Sequence, residues 1–155
     1  MPKLEWLNLY KTKINNRSLK EVAKIKSLKL LPIGNTKVTD KGMTHLSTMT
    51  QLEYLGLRGN LITDTGASHL TPLINLQGLN LAETKITDAT LKHIAKFTHL
   101  QNLWIQKTGV SDNSIPIITN FKKLKKLDIS STKITSQGIK TIKSKLPNCE
   151  ITSGD

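Results

Sequence analysis

The chain has 155 residues, which is one domain's length and enough for a sizeable core. Its 23 Lys and Arg against 11 Asp and Glu leave a net charge of +12, which directs attention to acidic proteins, nucleic acid or anionic surfaces as partners. Trp, Tyr and Phe total six, so any core must be aliphatic, and the single cysteine, Cys149, excludes an internal disulfide framework and fits a reducing compartment.

The longest apolar stretch, Leu30-Leu31-Pro32-Ile33, is far too short to span a bilayer, and Met1-Pro2-Lys3-Leu4-Glu5 leads into no signal region. The expectation is a cytoplasmic protein, with delivery as an effector the alternative.

From the amino end onward, leucine recurs at Leu4, Leu28, Leu52, Leu76, Leu100 and Leu124, 24 residues apart each time. Three positions later stand Leu7, Leu31, Leu55, Leu79, Leu103 and Leu127. Two further on come Leu9, Ile33, Leu57, Leu81, Ile105 and Ile129, and then Ile14, Val38, Ile62, Ile86, Val110 and Ile134. The units run 4–27, 28–51, 52–75, 76–99, 100–123 and 124–148, with a closing half unit at 149–152, all within a single domain over 1–155.

Each unit has two halves. The first alternates apolar and polar residues with a strand period, which predicts strands at 5–10, 29–34, 53–58, 77–82, 101–106 and 125–130, and a short one near 150–152. Pro32 falls mid-strand and removes one ladder donor. The second half spaces its apolar residues by three, as in Leu91, Ile94 and Phe97, which suits a short helix. Cap residues separate the halves: Asn15-Asn16, Thr39-Asp40, Thr63-Asp64, Thr87-Asp88, Ser111-Asp112 and Thr135-Ser136. Strand, turn, helix and return every 24 residues give a parallel sheet backed by helices.

The pattern Leu-x-x-Leu-x-Leu-x-x-Thr-x-Ile-Thr-Asp-x-Gly-Leu, clearest over 76–91 and 52–67, resembles the leucine-rich repeat family across almost the whole chain. It is most similar to the short bacterial and intracellular versions, which end in a half unit like Leu146-Pro147-Asn148-Cys149. The resemblance implies an α/β fold: a leucine-rich repeat solenoid, a curved horseshoe segment with a parallel concave β-sheet and short helices on its convex side. It also implies an inert core role for Cys149. Two departures stand out. The family's Asn ladder is here Thr12, Thr36, Asn60, Thr84, Thr108 and Thr132, and cysteine-rich flanking caps are absent.

Phe97 and Phe121 fall in the last inward column and are assigned to the core. His45, His69 and His93 share one repeat position, where stacked histidines could ligate a metal, but duplication of one residue explains them. Asp40, Asp64, Asp88 and Asp112 form a carboxylate column that helix capping explains without catalysis. No nucleophile, zinc-protease or phosphate-loop motif occurs, so the expectation is a non-enzyme with no cofactor and no metal.

The charge is uneven. Residues 3–41 carry a balance of +7 and 122–155 one of +5, whereas 42–84 carry −2. All but two of the basic residues, Arg17 and Arg58, are lysine, which suits bidentate phosphate recognition poorly, so nucleic acid is the weaker fit. The aromatics are placed differently. Trp6, Leu30 and Tyr54 share one outward strand column, Tyr10 and Arg58 share a second, and Trp104 stands further round the curve. These six are the candidate site for a protein partner on the concave face. Two alternatives remain: an anionic surface or nucleic acid held by the Lys-rich ends and convex face, and a structural segment of a longer repeat protein. The thinly covered first unit predicts upstream repeats or an end-to-end homodimer at that edge.

Overall fold

The computed structural model describes residues 3–154. Inward aliphatic columns and outward polar ones wind the chain into a solenoid. Its elements run α1 (Asn16–Val22), β1 (Leu30–Pro32), α2 (Asp40–Leu46), β2 (Tyr54–Gly56), α3 (Asp64–Ala67), β3 (Gly78–Asn80), α4 (Asp88–His93), β4 (Asn102–Trp104), α5 (Ile115–Ile118), β5 (Lys126–Asp128), α6 (Ser136–Lys145) and β6 (Glu150–Thr152). Single 3₁₀ turns, Ser68–Leu70 and Asp112–Ser114, extend the third helix and precede the fifth.

The six strands form one open parallel sheet in sequence order. Leu31 pairs with Leu55, Leu55 with Leu79, Leu79 with Leu103, Leu103 with Leu127 and Leu127 with Ile151, so the 24-residue step holds into the last pair. β1 to β5 are three residues each, shorter than the six expected, and β6 falls at Glu150–Thr152 as expected. The chain leaves the strand at a left-handed residue in every unit: Lys11, Asn35, Gly59, Glu83, Lys107 and Ser131 all have positive φ.

The segment 5–10 departs from expectation. It makes a single bridge, Trp6 with Leu30, rather than a strand. The amides of Leu7, Leu9 and Lys11 do donate to the carbonyls of Leu30, Pro32 and Gly34 at 3.1, 2.9 and 3.0 Å. What interrupts the ladder is Pro32, which has no amide to return across the pair.

One core runs the length of the molecule. Leu52, Leu55, Leu57, Ile62, Ala67, Leu70 and Leu73 are all fully buried, as is Phe97, and Phe121 is nearly so. These contacts join neighbours in space rather than distant parts of the chain, so stability accumulates unit by unit.

The aspartate column corrects the sequence reading. The residues that cap α3, α4 and α6 are Thr63, Thr87 and Thr135, whose hydroxyls accept from amides of their own helices. Each Asp opens its helix and reaches instead to the next unit's cap. Asp40 accepts from the Thr63 amide and hydroxyl at 2.8 and 2.6 Å, and Asp112 from those of Thr135 at 2.8 and 2.7 Å. Asn16 plays this part in the first unit, holding the Thr39 amide at 2.9 Å. Room for the carboxylate comes from Gly66 and Gly138, where an added Cβ would collide with Asp40 or Asp112. In the units between, Thr90 and Ser114 stand at the glycine's place and donate their hydroxyls to Asp64 and Asp88.

The Thr ladder also behaves differently from an Asn ladder. Thr84 and Thr108 donate to carbonyls of their own units, Leu81 and Ile105, both at 2.6 Å. The bonds between units in that column all involve Asn60 among the described residues: its carbonyl oxygen accepts from the Thr36 amide at 2.8 Å and hydroxyl at 3.2 Å, and its Nδ2 donates to the Ile33 carbonyl at 2.9 Å.

Candidate functional site

Side chains at alternate strand positions face away from the core, so the parallel register lines them up across the sheet. Trp6, Leu30 and Tyr54 stand in one row, continued by Gly78, Asn102 and Lys126. Trp6 is 62% exposed and Leu30 38%, although their neighbours Leu28 and Leu31 are fully buried. Tyr10 is also exposed, as is Leu4, which begins the inward column that Leu28 and Leu52 continue.

Tyr54 is less exposed than Trp6. Its ring lies across the next strand, where Gly78 offers no side chain: a Cβ there would come within 2.7 Å of Tyr54 Cδ2. Gly56 gives similar clearance, with its Cβ position 3.0 Å from the Tyr54 hydroxyl. Lying flat, Tyr54 meets Trp104 edge-on, the ring centroids 6.3 Å apart and the planes at 76°. Burial pushes the phenol above its ordinary pKa, and a hydrogen bond with Asn80 works against that shift. Trp104 stands further round the curve, on the second strand beyond Tyr54. It is bound into the same aromatic pair two strands away.

Tyr10 and Arg58 share their row with Gly34 between them. The Tyr10 ring lies beside Gly34, its hydroxyl accepts from Asn35 Nδ2 at 2.8 Å, and the Lys11 ammonium sits 5.4 Å from its centroid. Arg58 is committed elsewhere. Its Nε and Nη2 donate to both Glu83 oxygens at 3.2 and 2.9 Å, and Lys107 adds a contact to Glu83 at 3.4 Å. Hydrogen bonding from Arg58 holds the Glu83 carboxyl below its usual range. The candidate list thus resolves into an exposed shelf (Trp6, Leu30, Tyr10), a packed aromatic pair (Tyr54, Trp104) and an ion-paired arginine.

Three glycines that the sequence reading passed over, Gly34, Gly56 and Gly78, form the floor on which these rings lie. Glycine at an outward strand position was the available signal, because it marks a place of close approach. A polar cleft of about 330 Å³ is lined by Lys29, Gln51, Glu53, Asn75, Gln77 and His99, Lys29 being the residue before Leu30. A second, of about 240 Å³, lies at the far end among Ile129, Ile134, Ile139 and Gly154.

Among the described residues, no three His, Cys, Asp or Glu side chains converge as metal ligands would. Cys149 is half-buried, and burial, with the nearby Glu150 charge, pushes its thiol up, away from the reactive thiolate. No described helix is long and apolar enough to cross a membrane.

A leucine-rich repeat family model matches residues 122–143. Among solved structures the chain is similar to an internalin C2 from Listeria monocytogenes, with 25% sequence identity and a TM-score of 0.70 over 86% of this chain and 55% of that one. It is also similar to an internalin inlF of the same bacterium, at 17% identity and a TM-score of 0.56, covering 97% of this chain and 53% of the other, a likeness of fold alone. The chain spans about half the length of each. No curated protein matches it in sequence.

Proposed function

We propose that this chain, a leucine-rich repeat solenoid, is a non-enzymatic module that binds a protein partner on the concave face of its sheet. The fold is a general scaffold for contacts between proteins and is not one built around catalysis. One observation carries the reading: Trp6 and Leu30 lie open side by side at paired positions of the sheet, whereas Leu61 and Ile74, the exposed apolar residues of the third unit, fall outside that row. An exposed apolar surface of that kind, joined to tyrosine and tryptophan, matches the make-up of a binding hot spot.

Trp6→Ala combined with Leu30→Ala tests this. Both side chains are exposed, so the folded state should lose no more than about 1 kcal/mol. Titration of a captured partner should weaken at least tenfold. Unchanged affinity in a folded variant would remove the concave face as the site.

The charge of +12 favours a second reading, docking on a polyanion through the Lys-rich ends and convex face. Tight DNA or RNA binding at about 150 mM salt, falling steeply as salt rises, would favour it over the first.

A further inference from the structure

The cleft lined by Lys29 and Gln51 includes a residue whose side-chain donor has no acceptor. That residue is Gln51, and its Nε2 is buried without a hydrogen-bond acceptor among the described residues. The neighbouring groups are engaged. Gln77 donates to Glu53 at 3.4 Å and accepts from Gln101 at 3.3 Å, and Asn75 Nδ2 donates to the Thr50 carbonyl at 2.9 Å. Lys29 lies between Glu5 and Glu53, 3.4 and 3.9 Å from their carboxylates. An unpartnered buried amide is unfavourable, and the last torsion of a glutamine is soft enough to turn it toward an incoming acceptor.

The surrounding charges decide what kind of acceptor. An anion placed against Gln51 would face the Glu53 carboxylate, and a cation would face the Lys29 ammonium. With the two lining the same cleft, a neutral oxygen is favoured over either. Lys29 also immediately precedes Leu30 in the chain, so one wall of the cleft adjoins the strand that carries part of the apolar shelf.

We propose that the cleft lined by Lys29, Gln51, Glu53, Asn75, Gln77 and His99 is a peptide-group site, in which Gln51 donates to a main-chain carbonyl of an extended partner segment whose neighbouring apolar side chain rests on Trp6 and Leu30. This rests on the concave-face reading and adds to it the part of the partner that is recognised. Recognition of main chain here is tolerant of sequence, and the shelf selects for an apolar side chain.

The test is titration of isotope-labelled protein with N-acetyl-leucine N-methylamide, followed by nuclear magnetic resonance, with acetate as the anionic comparison. The amide probe should shift the Gln51 side-chain amide together with the Trp6 indole, and acetate should shift neither. Gln51→Met, close in size and without the donor, should weaken binding of the probe about tenfold. Shifts at Trp6 alone would overturn the peptide-group site and leave the apolar shelf standing. Equal or stronger shifts with acetate would overturn the argument for a neutral acceptor. No shift at Gln51 would overturn the proposal, and these wild-type comparisons hold whether or not the methionine variant folds.

Discussion

The carboxylate of Asp64 accepts two hydrogen bonds from Thr87 of the following unit, from the amide at 2.8 Å and from the hydroxyl at 2.7 Å. Thr87 in turn caps α4, so the start of one helix is anchored by a side chain that opens the helix before it.

Asp64 also holds the amide and hydroxyl of Thr90, a fully buried residue, while Asp40 faces Gly66 at the equivalent place. Removing Asp64 would therefore strand more donors. Asp64→Ala should lower unfolding free energy by about 2–3 kcal/mol and Asp40→Ala by about 1–2, measured by urea titration. Equal losses would mean that Thr90 finds another acceptor.

The same carboxylates predict acid sensitivity. Burial by itself raises Asp64 and Asp88, but hydroxyl and amide donors, Thr90 and Thr87 for the first and Ser111 and Ser114 for the second, together outweigh it and hold both below the usual 3.8. A carboxyl with a depressed folded pKa contributes its stability above the unfolded value and loses it as pH falls through the folded one. The urea midpoint should stay level down to about pH 4 and fall below it. In Asp64→Asn that fall should be shallower. An unchanged acid limb would assign the loss to other groups.

Gly78→Ala should act at a distance from the position changed. The new Cβ would sit under the Tyr54 ring and lift it off Trp104. Near-ultraviolet circular dichroism should lose its aromatic signal, with about 1–2 kcal/mol of destabilisation. Tyr54→Ala should also lower stability, because that ring is half-buried, so Trp6 is the cleaner residue for separating binding from folding.

Asn60→Thr would make the ladder uniform and break its one link between units. The Thr36 amide would lose its acceptor and the Ile33 carbonyl a donor. A loss of about 1–3 kcal/mol is expected by urea titration, even though threonine is what the other positions carry.

The periodicity made the architecture legible because every strand and every inward column repeats at one spacing. Leu55, Leu79 and Leu103 pair as that spacing requires. Less was legible where the physics runs between units. The register placed Trp6, Leu30 and Tyr54 in one row, but Tyr54 meets Trp104 only because Gly78 lacks a side chain, a relation spread over three strands. Asp64 reads as a cap by its place beside Thr63, yet its partner stands 23 residues on, where a local motif does not look. The bond between Arg58 and Glu83 likewise needs the curl that brings neighbouring turns together.

The carboxylate ladder also gives the molecule a grain. At the helix starts of α2, α3, α4 and α6, the cap residue takes a side-chain acceptor from the unit before it. Cutting units from the carboxyl end would leave an aspartate at the new surface, which water solvates readily. Cutting from the amino end would leave a threonine amide and hydroxyl at the first remaining helix with their acceptor gone. Two shortened chains of equal length should then differ in stability according to which end was cut, and the one that keeps the amino-terminal units should be the firmer.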